Sequence, residues 1–214
     1  MSITIHAFPL SPRAFKVLFG AHQAGVEYAL KFVDLRKGEQ NSPEFLKLNP
    51  NGRMPVLEDD GYVLWESNAI VNYLASKNPQ CGLLPADTKA RLQVEKWQFW
   101  ESVHWDQACA IFAFERLVKA LFRNEPESES EIARGTQMMD RLAKVLDGEL
   151  GKHRYVAGDE LTVADVSIGS SMCIADIARL PLEPYRSIQR WREDLKALPA
   201  WKKTVELQQK FMPG

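Results

Sequence analysis

At residue 78 the sequence changes character, and that change limits what the chain can fold into. Before it, strand-like and helix-like runs alternate; beyond it almost nothing reads as a strand. "ITIHAF" alternates as a half-buried strand does, and "PRAFKVLFGAHQAG" then sets Phe15, Leu18, Phe19 and His22 at helical spacing, with Gly25 as a stop. "YALKFVDL" reads as a second strand, and "NSPEFLKLNPNG" as a short helix capped by Ser42 with Pro43 in its first turn. "MPVLEDDGYVLWES" carries two strand runs either side of "EDDG", a hairpin signal, before "SNAIVNYLASK" returns to helical spacing. The order is β-α-β-α-β-β-α, an α/β layer arrangement.

The turn-forming "NPQCGLLPAD" links this part to the rest. A helix of unusual length starts near Thr88 and runs through Trp97, Trp100, His104, Trp105 and Ala108. The acidic "NEPESESE" interrupts it as a solvated loop. Further helices fit 131–150, 163–179, 185–197 and 199–211, with Pro181, Pro184 and Pro199 at the breaks. Within "LTVADVSIG", Thr162 and Asp165 have capping-box spacing ahead of an apolar helix.

Composition removes several classes of function. With 214 residues, 45% of them hydrophobic, and a net charge of -1, the chain offers no electrostatic reason to bind nucleic acid or an anionic membrane. No apolar run is long enough to span a bilayer, and the first residues do not read as a signal peptide. Cys81, Cys109 and Cys173 are sparse and far apart, which argues against a disulfide scaffold and points to the cytoplasm.

Phosphate-loop, dinucleotide, metalloprotease and nucleophile-elbow motifs are all missing. His6, His22, His104 and His153 are scattered and suggest no metal. The acid pairs Asp59-Asp60 and Glu101-Asp106 fit turn and helix-surface roles. Two helix starts remain. Ser11 precedes Pro12 as a helix cap would, and Ser67, beside Glu66, does the same later. Both are structural caps on one reading. On the other, two helix N-termini at the strands' carboxyl ends favour an anionic ligand. A cis Met54–Pro55 bond would turn Met54's backbone toward such a ligand.

Taken with the element order, "PLSPRAFKV", "NPNGRMPVLEDDGYVLWESNAIVNYL" and "YVAGDELTVADVSIG" resemble a soluble glutathione transferase of the serine type, similar to the plant phi class and related bacterial enzymes. The match spans essentially the whole chain. It implies a thioredoxin-like glutathione-binding domain over 1–78, a linker over 79–87, and an all-α domain over 88–214 that contributes the electrophile site. It also implies a homodimer with a detoxifying role, glutathione as co-substrate and no metal.

Carried over by resemblance, Ser11 hydrogen-bonds the glutathione sulfur, and Arg13, one position inside the helix, is a second source of field or hydrogen bonding. Met54, before a cis Pro55, pairs with the cysteinyl portion, and Glu66 and Ser67 take the γ-glutamyl end. Phe112, with Phe114 nearby, offers an apolar wall for a hydrophobic electrophile. One departure stands out: Gln40-Asn41 occupies the place where phi-like relatives often carry His-Lys for the glycyl carboxylate. A neutral amide forfeits the charge-assisted part of that contact, for which Arg53 or Arg36 would compensate. The same thiolate chemistry serves dehalogenases, isomerases and peroxidases, and the fold also serves non-catalytic interaction or carrier proteins.

Overall fold

A computed structural model describes residues 3–212. Its contacts divide the chain into two units: one holds residues up to Leu84 together with those from Leu198 onward, the other Pro85–Ala197.

The first unit is built on four strands, β1 (Thr4–Ala7), β2 (Ala29–Phe32), β3 (Val56–Asp59) and β4 (Tyr62–Trp65), in the order β2-β1-β3-β4. β1 and β2 are parallel and joined through α1 (Pro12–Ala24), whereas β3 runs antiparallel to both β1 and β4. The β3–β4 turn has φ of 47° at Asp60 and 85° at Gly61. Two positive φ values match the twist of the flanking strands, which is why "DG" closes this hairpin. α2 (Pro43–Leu48) starts as expected, with Ser42 Oγ accepting from the Phe45 N–H at 3.2 Å. α3 (Ser67–Lys77) packs along α1. The expected element order therefore stands.

The last helix, α9 (Pro199–Gln209), groups with this unit rather than with the helical segment in which the sequence reading placed it. The physical reason is aromatic. Trp201, 4% exposed, sets its ring edge-on to Phe15 at 4.6 Å and Phe19 at 5.4 Å. A polar relay runs alongside. Thr204 donates its hydroxyl to the Ala200 carbonyl, so it accepts from His22 Nδ1 at 2.8 Å, and Tyr28 donates to His22 Nε2 at 2.9 Å. Burial, aided by Lys203, lowers the His22 pKa to about 4 and keeps the ring neutral within that relay. The unfolded chain titrates near 6.5, so this stability is complete above about 6.5 and is lost as pH falls toward 4, by about 3 kcal/mol in all. A His22→Asn variant should lose less stability than the parent between those pH values in urea unfolding; equal losses would contradict the assignment.

The second unit contains α4 (Thr88–Trp100), α5 (Asp106–Ala113), α6 (Glu129–Leu150), α7 (Val163–Gly169) and α8 (Arg186–Ala197). The single long helix expected from Thr88 is interrupted by wide turns at Glu101–Trp105 and Phe114–Arg123. Glu115 is drawn inside at the second of these, where Lys119 and the Ser128 N–H hold its carboxyl below the usual range. The helix expected over 163–179 is shorter: it tightens over Ser170–Ile174. Ser167, Ser170 and Ser171 return their hydroxyls to the carbonyls of Val163, Ser167 and Ile168, competing with the regular ladder. The Thr162–Asp165 capping box forms as its spacing suggests.

Candidate functional site

Strand register brings the singled-out residues to one end of the sheet. His6 pairs with Val56 and Val56 with Trp65, while Ala7 lies beside Phe32. The chain leaving β1 toward Ser11, the chain entering β3 through Met54 and Pro55, and the chain leaving β4 toward Glu66 therefore share that end. The Phe8 N–H donates to Met54 Sδ at 3.4 Å, joining the first two segments, and the Met54–Pro55 peptide is cis. α1 and α3 both begin here, so the positive ends of two helices face one region.

Ser11 occupies the N-cap of α1 with extended backbone, and its carbonyl accepts from the Phe15 N–H at 2.8 Å. Its side chain makes no capping hydrogen bond. A serine in that position normally turns its oxygen onto the N2 or N3 amide. Here the hydroxyl is left available beside the positive end of a helix. Arg13, two residues on, lies exposed.

Ser67 is not the cap that the sequence suggested. It is the first residue of α3, and Glu66 holds the N-cap with φ 72° and ψ 112°. A non-glycine residue at such φ costs about 1–3 kcal/mol and persists where the surroundings impose it, commonly at ligand sites. One residue on, Asn68 accepts from Lys16 Nζ at 3.0 Å. Lys16 is only 2% exposed, so a buried ammonium stands between the starts of α1 and α3. The sequence reading passed over Lys16; the signal was a lone charge inside the otherwise apolar run Ala14–Ala21.

Gln40 and Asn41 form a short turn against Gly52, where a Cβ would come within 3.2 Å of Asn41 Oδ1 and 3.3 Å of the Gln40 carbonyl. That close approach puts them beside Arg53, which is exposed. The Gln40 side-chain oxygen is buried with no hydrogen-bond partner. An orphaned acceptor costs about 1–3 kcal/mol, which a ligand N–H would relieve. Arg36 is engaged elsewhere: Asp34 takes its Nε at 3.0 Å. Phe112, expected on the electrophile wall, is 1% exposed inside the helical unit, with the Arg116 guanidinium 5.3 Å over its ring, whereas Phe114 is 37% exposed. Among the described residues no group of three or more His, Cys, Asp or Glu is placed to hold a metal ion, and no helix is long and apolar enough to cross a membrane.

A thioredoxin-like sheet carrying two helix starts, a cis-proline loop and an uncapped serine, followed by a helical unit, defines the class of protein. Comparison with known proteins gives the family. Residues 1–76 match the family described as "Glutathione S-transferase, N-terminal domain", and residues 109–208 its "C-terminal domain" counterpart. "Glutathione S-transferase 3" of Zea mays is 32% identical over 95% of this chain and 93% of its own length. Among solved structures, glutathione S-transferase III in apo form is 30% identical with a TM-score of 0.89, covering 100% of this chain and 99% of that one. Poplar glutathione transferase F1 is 26% identical with a TM-score of 0.89, covering 98% and 99%. The chain belongs to the glutathione S-transferase family, on its phi-like side.

Proposed function

We propose that this chain binds glutathione along the strand ends of its first unit and transfers the tripeptide's sulfur to small hydrophobic electrophiles. The observation that carries the reading is the Ser11 hydroxyl, set at a helix start and not spent on capping. A free cysteine thiol, with a pKa of about 8.5, is mostly protonated at neutral pH, and only its thiolate is a competent nucleophile. A hydrogen bond donated to the thiolate is worth about 1.5–3 kcal/mol, enough to lower that pKa by one to two units. Ser11 supplies this bond, and the α1 terminus, with Arg13 and Lys16 nearby, supplies favourable field. The thiol proton passes to solvent. The sulfur then forms a bond to the electrophilic carbon, and in a substitution the leaving group departs with its electron pair.

The remaining roles follow the register. Met54's backbone, before cis Pro55, takes the cysteinyl peptide, and Glu66, Ser67 and the α3 start take the γ-glutamyl end. Gln40 and Arg53 take the glycyl end, Arg53 providing the charge that the amide lacks. Phe112, buried in the helical unit, and the more exposed Phe114 supply the apolar character of the electrophile side. The protein works as a homodimer in the cytoplasm. Leu92, Phe99 and Val103 expose an apolar stripe on one side of the long helical segment, a surface suited to association.

The test is retention on immobilised glutathione together with turnover of a chlorodinitrobenzene-type acceptor. The parent protein should show both, and Glu66→Ala should raise the KM for glutathione about tenfold, the loss expected for one charge-assisted contact. A parent protein that neither binds glutathione nor turns over would overturn the reading.

A further inference from the structure

Ser11 ends a four-residue turn closed by its own N–H, which donates to the Phe8 carbonyl at 2.9 Å. The turn is not part of a strand or helix, so its geometry depends on what grips it from outside. The Ser11–Phe8 hydrogen bond closes the turn around Pro9 and Leu10, so only the Leu10 torsions and the Ser11 φ separate the Pro9 carbonyl from the Ser11 Cα. Pro9 is buried, so its carbonyl must find a donor within the protein.

That donor comes from the far end of the chain. Gln208 Nε2, in the last turn of α9, donates to the Pro9 carbonyl at 2.7 Å across 199 residues of sequence. A second contact from the same tail supports it. The Phe8 ring lies 5.7 Å from Phe32, and Phe32 is stacked at 5.1 Å on Phe211. Trp201 anchors the base of α9 on α1, the helix that Ser11 begins. The C-terminal segment thus holds both the helix behind Ser11 and the turn in front of it.

We infer that Gln208 is a positioning residue for Ser11: by fixing the Pro9 carbonyl it aims the Ser11 hydroxyl at the glutathione sulfur. The inference rests on the thiolate role given to Ser11 above. A hydrogen bond weakens steeply with misalignment, and a displacement of about 1 Å at a reacting centre costs up to about 100-fold in rate. Gln208 touches neither substrate, so its loss should appear in thiol ionisation and not in glutathione affinity.

The experiment measures the pKa of enzyme-bound glutathione from the ultraviolet absorbance of its thiolate, with kcat and KM beside it. The variants are Gln208→Met, which keeps length and removes the donor, and Gln208→Lys, which restores a donor. Gln208→Met should raise the bound thiol's pKa by about half a unit or more, a roughly threefold loss of turnover below that pKa, with the KM for glutathione within about twofold. Gln208→Lys should recover most of the shift. If Gln208→Met folds poorly, Gln208→Glu, an acceptor with no N–H, is read in the same way. A variant that melts lower but keeps the parent pKa would overturn the inference and leave Gln208 a structural contact. Ser11→Ala is run in parallel: if it too leaves the pKa unchanged, the thiolate role of Ser11 fails; if it alone raises the pKa, only the role of Gln208 fails.

Discussion

Asp165→Asn is expected to destabilise the helical unit by about 2–4 kcal/mol, the cost of leaving a buried N–H donor without its acceptor and of weakening hydrogen bonds that now go to a charged group. Asp165 is 0% exposed and accepts four hydrogen bonds. Oδ1 takes the Val156 N–H at 2.9 Å and Trp191 Nε1 at 3.0 Å, and Oδ2 takes the Thr162 N–H at 3.0 Å and its hydroxyl at 3.2 Å. With its NH2 in the place of Oδ1 an asparagine faces two obligate N–H donors, and with it in the place of Oδ2 it faces the Thr162 N–H while the Thr162 hydroxyl turns to accept, so at least one buried N–H is left unsatisfied either way. Burial pushes the Asp165 carboxyl up to about 6, against those hydrogen bonds, which favour its ionised form. The carboxylate thus joins the start of α7, the loop at Val156 and α8 through one side chain. Urea unfolding followed by tryptophan fluorescence measures the loss; a variant within about 1 kcal/mol of the parent would contradict the network's role.

Ser11→Ala is expected to reduce turnover about 10- to 100-fold below the pKa of the bound thiol, the effect of losing about 1.5–3 kcal/mol of thiolate stabilisation. Below that pKa the KM for glutathione should change little, because the bound sulfur is then mostly the thiol, whose binding the hydroxyl does not strengthen. The acidic limb of the pH–rate profile should move upward, and the deficit should shrink as alkaline pH ionises the thiol unaided. Stability provides the contrast. An N-cap serine replaced by alanine ordinarily costs about 1 kcal/mol, but this side chain makes no capping bond, so the melting temperature should hold. Activity lost in step with stability would mean that Ser11 is a cap after all.

Much of this was readable from residue order, wherever local chemistry decides the outcome. "DG" between two strand runs specifies its own turn, and Thr162 with Asp165 specifies its own helix start, because every partner lies within a few residues. Register carried the rest of the site: once β1, β3 and β4 pair, Ser11, Met54 and Glu66 must emerge at one end. What stayed hidden depends on distant partners. Nothing local in "PAWKKTVELQQ" says that Trp201 will seat against Phe15 and Phe19, or that Gln208 will reach Pro9. The helix start misplaced at Ser67 has a similar origin. A glutamate at φ 72° violates the propensity on which sequence reading relies, and it is tolerated because the fold requires that corner. Propensity likewise cannot reveal that the Ser11 hydroxyl is left uncapped.

The central claim, that this site ionises a bound thiol, is tested most directly by counting protons. Glutathione is titrated into the protein in a calorimeter at about one pH unit below the free thiol's pKa of about 8.5, in buffers of different ionisation enthalpy. With the bound pKa one to two units lower, the parent protein should release about 0.4–0.8 of a proton per site on binding, and Ser11→Ala a clearly smaller fraction. Binding by the parent protein with no proton released would contradict the account.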